Sequence, residues 1–117
     1  MYNFMTLSSP HLGYTYSSST IVNTGMWFMK TWRKSQCLSQ LRLADKPVNE
    51  LQDCCLYKIS EMKGLAWFRH VILVSSYQDT YAPFDSARIQ ICEQANRDTT
   101  LGSIYIKMAR NLLHSLP

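Results

Sequence analysis

The residue best placed to do chemistry is Asp79, a carboxylate a few positions after the apolar run 71–74. In open α/β sheets, functional side chains collect at the carboxyl ends of the strands. From there, Asp79 could accept a hydrogen bond from a histidine Nδ1–H and hold the imidazole in its productive tautomer. Asp is also a common turn former, so Asp79 could simply cap the turn 78–81. The local sequence leaves both roles open.

A nucleophile for such a carboxylate is not recognisable. The elbow G-x-S-x-G needs a glycine two residues before and two after a serine, so that the backbone can adopt a strained turn. None of the four glycines flanks a serine in this way: Gly13, Gly25, Gly64 and Gly102. The serines at 17–19 belong to a polar loop. The sequence therefore predicts no nucleophile serine.

The three histidines are weak candidates for a catalytic base. His11 follows Pro10 in a turn, where a bond to local backbone is expected. His70 precedes the apolar run and is expected at a boundary or on the surface. His114 follows Asp79 in the chain, which suits the order Ser, Asp, His. It also lies in a helical pattern, so an ordinary helix-surface histidine is the simpler expectation.

The cysteines give no sign of a metal or cofactor site. Cys37, Cys54, Cys55 and Cys92 form no C-x-x-C pair, and none lies at zinc-ligand spacing from a histidine. We therefore expect reduced, mostly buried thiols, a cytoplasmic location, and neither a metal nor a cofactor.

Length and composition indicate one domain, 1–117, with 46% hydrophobic and 17% charged residues. The formal charge of +4 is spread along the chain, and the densest basic group is only Lys30, Arg33 and Lys34. The sequence has no run of lysine and arginine residues that could bind successive phosphates, so no nucleic-acid partner is expected. No apolar stretch reaches the roughly 20 residues that a transmembrane helix needs, so no such segment is predicted.

Hydrophobic periodicity predicts strands and helices in alternating groups. The predicted strands are 3–8 and 71–74. The predicted helices are 21–34, 50–62, one that follows Asp85 as N-cap, and 101–115, and a short helix or turn is expected near 38–43. The aromatic residues of the first helix, Trp27, Phe28 and Trp32, fit either a core or a lid.

The run 71–74 shows no alternation, so we expect both of its faces to be buried, as in a parallel strand between helices. The order of elements is that of an α/β domain. Two strands with open edges do not complete a sheet. We therefore expect the chain to contain only part of a larger sheet, truncated at both ends.

Two segments resemble a known family: LSSPHLGYTYSSSTIVNTGMWFMKTW and FRHVILVSSYQDTYAPFDSARIQICEQA. They are similar to the serine esterase domain of the "family with sequence similarity one hundred and thirty-five" proteins, which are lipase-like α/β-hydrolases. The most specific pieces are the S-P-H-L-G-Y turn, the Q-D-x-Y-x-P loop and the S-A-R-I helix start. The similarity extends from the turn at 9–13 to 111–113, nearly the whole chain.

The resemblance implies a partial α/β-hydrolase fold, with this chain the C-terminal part of the domain. It implies that Asp79 is the triad acid, that the nucleophile serine precedes the chain, and that the catalytic histidine follows it. Ala82 and Asp85 depart from the family pattern, which usually has a bulkier valine and often a histidine there. Both changes leave the acid in place.

The sequence thus supports two hypotheses. In the first, the chain is part of a hydrolase that acts on carboxyl esters or lipids, is inactive alone, and needs the remainder of the domain to complete its sheet. In the second, it is a non-catalytic interaction or scaffold module that keeps a degenerate hydrolase fold.

Overall fold

The computed structural model describes residues 2–16 and 36–117. The predicted helix 21–34, with its aromatic residues, and the serines at 17–19 lie outside these residues. The described part contains two strands, five α-helices and two 3₁₀ segments. In chain order they are β1 (Asn3–Leu7), α1 (Gln36–Leu41), the 3₁₀ segment Val48–Asp53, α2 (Cys55–Glu61), the 3₁₀ segment Lys63–Trp67, β2 (His70–Val74), α3 (Phe84–Ala87), α4 (Glu93–Arg97) and α5 (Gly102–His114).

The two strands form a parallel sheet, as predicted. Their register runs from Asn3 opposite His70 to Leu7 opposite Val74. A parallel pair needs a long crossover, and the chain between the strands supplies it with helical segments. The described architecture is a small two-stranded parallel sheet flanked by helices, which is compatible with part of an α/β fold.

The prediction that both faces of β2 are buried is wrong. Burial alternates along both strands, and Leu73 packs against the hydrophobic core. On the opposite face, four side chains keep much of their surface exposed: Met5 59%, Leu7 70%, Ile72 41% and Val74 44%. Within residues 2–16 and 36–117, the elements packed on the sheet bury one of its faces and leave apolar side chains of the other face exposed.

The core lies between α5 and the elements packed on it, α2 and α4. The predicted helix row of Ile104, Met108 and Leu112 is confirmed, since all three side chains are buried. Tyr105 and Ala109 beside them are buried as well. The core is therefore built around one long amphipathic helix.

Two predicted helices are interrupted. The helix expected over 50–62 is a 3₁₀ segment followed by α2, with Cys54 between them in an extended conformation (φ −59°, ψ 142°). The Cys55 amide that begins α2 donates instead to Asp45 Oδ2 at 2.9 Å. The first amides of a helix lack partners within the helix, so a carboxylate can accept a hydrogen bond from them. Asp45, which precedes α2 by ten residues, caps its start in this way.

Asp85 is not the N-cap predicted from the sequence. Pro83 occupies that position, and Asp85 lies in the first turn of α3, where its carboxylate is 3.9 Å from Arg88 Nε. The expected stripe from Ala87 to Ala95 also breaks, because Ile89 has a φ of +55°, which no α-helix contains.

An apolar cleft of about 450 Å³ lies beside β1. Phe4, Phe68 and Leu112 are among its lining residues, together with the exposed side chains of Met62 and Trp67. The Phe4 and Phe68 rings lie 5.1 Å apart between centroids. Neither Asp79 nor its loop lines this cleft.

Candidate acid site at the carboxyl edge of the sheet

Asp79 lies in the loop that leaves the carboxyl end of β2, and its side chain is half-buried. Its Oδ1 accepts hydrogen bonds from the backbone N–H of Tyr81 (2.8 Å) and of Ala82 (3.0 Å). Its own amide donates to the Ser76 carbonyl at 3.3 Å. Asp79 therefore does cap its turn, as one of the two sequence hypotheses required.

Ser8 brings the end of β1 to the same place. Its amide donates to the Val74 carbonyl at 2.8 Å, which joins the carboxyl ends of the two strands. This places the Ser8 side chain near the Asp79 carboxylate, whose pKa it lowers. Sequence reasoning missed Ser8, although the carboxyl-end rule that located Asp79 would also have located it once the strands were paired.

These contacts make Asp79 a stable anion. The Ser8 hydroxyl first, and then the amides of Tyr81 and Ala82, hold the pKa of Asp79 below its ordinary value. Donors to the charged form favour that form. Asp79 is therefore ionised at neutral pH, as the orienting acid of a triad must be.

Tyr14 is the titratable neighbour of this carboxylate. Burial raises the pKa of Tyr14, and the charges of Asp79 and Cys37 raise it further. The phenol thus stays protonated at neutral pH. Because Tyr14 belongs to the S-P-H-L-G-Y turn, this turn also contributes a polar side chain that is influenced by the charge of Asp79.

None of the three histidines is a hydrogen-bond partner of Asp79. His11 Nε2 lies 2.9 Å from Thr6 Oγ1, a side chain rather than the backbone group expected, and burial lowers the pKa of His11. His70 Nδ1 lies 2.9 Å from Asn3 Oδ1 at the start of the strands. His114 is exposed at the last residue of α5. None of these histidines is therefore oriented by a hydrogen bond to Asp79.

The motif segments are joined to one another in the folded chain. The Leu12 amide of the S-P-H-L-G-Y turn donates to Ser86 Oγ of the S-A-R-I segment at 2.9 Å, and the bond is buried. Gly13 in the same turn has a φ of +78°. A Cβ there would lie 2.1 Å from the Leu41 carbonyl oxygen. The turn therefore needs glycine at this position.

The four cysteines are not paired with one another, and the surroundings of Cys54 disfavour its thiolate. All four are free; Cys54 and Cys92 are buried, Cys55 is half-buried and Cys37 is exposed. Burial first, and then the Asp45 carboxylate, raise the pKa of Cys54 to about 11, which leaves little reactive thiolate. Among residues 2–16 and 36–117, no three His, Cys, Asp or Glu side chains are grouped to hold a metal ion.

The sequence matches, over residues 1–94, the family described as "Putative serine esterase (DUF676)". The chain belongs to this family. The matched range contains both strands, the Gly13 turn and the Asp79 loop. Membership supports a hydrolase of the esterase kind. No solved structure matches the chain. In the described ranges, no helix is long and apolar enough to cross a membrane.

Proposed function

We propose that this chain is the acid-bearing, C-terminal part of a serine-dependent esterase domain with an α/β-hydrolase fold, and that Asp79 is the triad acid. One observation carries the proposal. Asp79 is an ionised carboxylate at the carboxyl edge of a parallel sheet, held by the two amides of its own loop, with a pKa that Ser8 and those amides lower. Family membership supplies the reaction class.

In the proposed reaction, a serine hydroxyl attacks the ester carbonyl while a histidine takes its proton. The histidine then passes the proton to the leaving alcohol, and water hydrolyses the acyl-enzyme. Asp79 accepts the Nδ1–H of that histidine, which holds the ring and stabilises the imidazolium. The serine and the histidine come from chain beyond residues 1–117. The substrate is a carboxyl ester, for which the lipase-like resemblance favours a lipid.

The remainder of the domain is the proposed partner of the open surfaces. The uncovered sheet face at Met5, Leu7, Ile72 and Val74 is apolar, and so is the cleft beside β1. Helices that cover the second face of a parallel sheet normally bury such side chains. The segments similar to the "family with sequence similarity one hundred and thirty-five" proteins favour that family as the parent. Four free cysteines fit the reducing cytoplasm.

The experiment begins with the reading frame on either side of the chain. An in-frame G-x-S-x-G before it and a histidine after it would allow the longer protein to be expressed and assayed with a p-nitrophenyl ester. There, Asp79→Asn should lower kcat by roughly 10⁴-fold, because the histidine loses the partner that sets its tautomer. Asp53→Asn, at an exposed carboxylate paired only with Lys58, is the matched control.

The 117-residue chain alone should neither hydrolyse the ester nor react with a fluorophosphonate. Stoichiometric labelling of one of its serines, or full activity of the longer Asp79→Asn protein, would contradict the proposal. The apolar sheet face also favours a second candidate, a non-catalytic interaction module. In-frame stop codons on both sides, with no activity in the chain, would select it.

A further inference from the structure

An exposed ring stack closes the base of the loop that carries Asp79. The rings of Tyr77 and Phe84 are stacked, with their centroids 3.7 Å apart and 23° between their planes. Tyr77 is 83% exposed, so the packing of the core does not explain where its ring lies. The stack brings together the two ends of the segment 77–84, and Asp79 lies inside that segment.

Phe84 has a fixed position for this contact. It is the first residue of α3 and is half-buried. The guanidinium carbon of Arg88 lies 4.5 Å from its ring centroid, a cation–π arrangement that favours this ring position. The helix itself is attached to the interior, because the buried Ser86 Oγ accepts the Leu12 amide at 2.9 Å. The ring of Phe84 is therefore a defined surface on which a second ring can rest.

The two sides of the loop are held differently. After Asp79, the amides of Tyr81 and Ala82 donate to its Oδ1 at 2.8 and 3.0 Å. Ala82 is buried, and the Pro83 carbonyl that follows accepts the Ala87 amide of α3 at 3.0 Å. This side is thus anchored through backbone. The residues just before Asp79 are exposed, and the ring stack links them to α3.

We propose that Tyr77 is the positioning residue for Asp79: its stack on Phe84 keeps the loop closed, so that the carboxylate stays on its two amides and is presented to a histidine in one orientation. This rests on the proposed function, in which Asp79 is the triad acid. An acid that orients a histidine has to be held by contacts of its own, and the stack supplies one on the exposed side of the loop.

The test uses variants whose altered side chains are exposed, so each is expected to fold. Tyr77→Ala removes the stack, and Tyr77→Phe keeps the ring and removes only the hydroxyl. Tyr81→Ala is the matched control, since Tyr81 is a second tyrosine of the same loop, 69% exposed, and its amide still donates to Asp79 after the change. Two quantities are measured by NMR in the 117-residue chain, at a concentration where it sediments as a monomer. They are the pKa of the Asp79 carboxyl and the hydrogen-exchange rate of the Ala82 amide.

Tyr77→Ala should speed exchange of the Ala82 amide by roughly 2- to 12-fold, the factor that corresponds to the loss of one aromatic stack. It should also move the pKa of Asp79 upward, because opening the loop removes amides that favour the charged form. Tyr77→Phe and Tyr81→Ala should keep both quantities at their values in the parent chain.

The proposal would be overturned by an unchanged pKa in Tyr77→Ala, or by an equal change of both quantities in Tyr81→Ala. A lower free energy of unfolding in Tyr77→Ala with the pKa unmoved would show a role in stability alone, and this too would overturn it.

The outcome can be separated from that of the proposed function. In the longer protein, Tyr77→Ala should lower kcat with little change in KM, because it disturbs the orientation of the acid and not the binding of substrate, and Tyr77→Phe should retain kcat. If Asp79→Asn left kcat intact while Tyr77→Ala still shifted the carboxyl pKa, the esterase assignment would fail and the ring stack would keep its role in the loop. If Asp79→Asn abolished activity while Tyr77→Ala changed neither kcat nor the pKa, only the role of Tyr77 would fail.

Discussion

Of the two roles that the sequence left open for Asp79, the structure shows the turn cap, and the role of triad acid is our proposal. The Oδ1 of Asp79 holds the turn through the amides of Tyr81 and Ala82, and Ser8, which follows the neighbouring strand, lowers the pKa of the carboxyl group. A catalytic acid has to be held rigidly, so capping its own loop assists orientation and does not compete with it. The strand-end rule was enough to single out Asp79. The same rule locates Ser8 only once the strands are paired, because its place at this edge depends on the strand register, which residue types do not reveal.

Gly13 is the residue of the S-P-H-L-G-Y turn whose replacement should cost most. Gly13→Ala forces a side chain into the left-handed region, at about 1–2 kcal/mol, and its Cβ would lie 2.1 Å from the Leu41 carbonyl oxygen. We expect a total loss of roughly 2–4 kcal/mol, because relief of the clash must move backbone. The measurement is the free energy of unfolding by urea.

Gly64→Ala is the matched control for that prediction. Gly64 has no atom within 4 Å of its would-be Cβ and no positive φ, so alanine there should be neutral or add up to about 1 kcal/mol. Equal stability of the two variants would show that the turn can relax and that the argument from Gly13 is wrong.

At the scale of elements, periodicity located what is long and regular. The strands and α5 match their predictions, because β2 carries an unbroken apolar run and α5 carries an apolar row at helical spacing. The interruptions at Cys54 and Ile89 were missed, because both residues fit the apolar pattern of a continuous helix. At Ile89 the helix is broken by a positive φ. At Cys54 it is broken by non-helical backbone angles, and the next amide, that of Cys55, donates to Asp45.

The start of α5 should make stability depend on pH through Asp98. Its Oδ1 accepts the amides of Thr100 (2.8 Å) and Leu101 (3.2 Å), and its Oδ2 accepts the Tyr16 hydroxyl at 2.8 Å. The Thr100 amide first, then the Tyr16 hydroxyl and the Leu101 amide, lower the pKa of Asp98. The unfolded chain therefore binds this proton more readily than the folded chain does.

A carboxyl group with a depressed folded-state pKa stabilises the fold fully above its ordinary pKa, about 3.9. That stabilisation is lost as the pH falls through the lower, folded-state value. Asp98→Asn should thus be less stable than the parent at pH 6, and the difference should shrink below about pH 4. Thermal unfolding at both pH values measures it. Tyr16→Phe, which keeps the ring packed on Tyr105, should show a smaller change of the same sign. A pH-independent difference would show that the charge of Asp98 plays no part.

At the scale of the whole molecule, the sheet has one covered face and one apolar face that no described element covers. The sequence could predict a pair of parallel strands, because the apolar runs and the helical segments between them can be read along the chain. It could not predict which face is covered, since the covering elements are decided by the whole fold. An apolar sheet face without a covering layer favours self-association.

Charges placed on the uncovered face should therefore keep the isolated chain monomeric. In the parent chain we expect concentration-dependent association, measured by sedimentation velocity. Met5→Lys combined with Val74→Lys should suppress it with little loss of stability, because both side chains are already exposed and are not directly opposite each other in the register. Leu73→Lys, on the face that packs against the core, is the matched control and should unfold the chain, since it buries an unpaired charge. A parent chain that stays monomeric at high concentration, with a cooperative thermal transition, would show that the face needs no partner.

In the longer protein proposed above, the same double substitution should instead be destabilising, since these positions would then be buried against the rest of the domain.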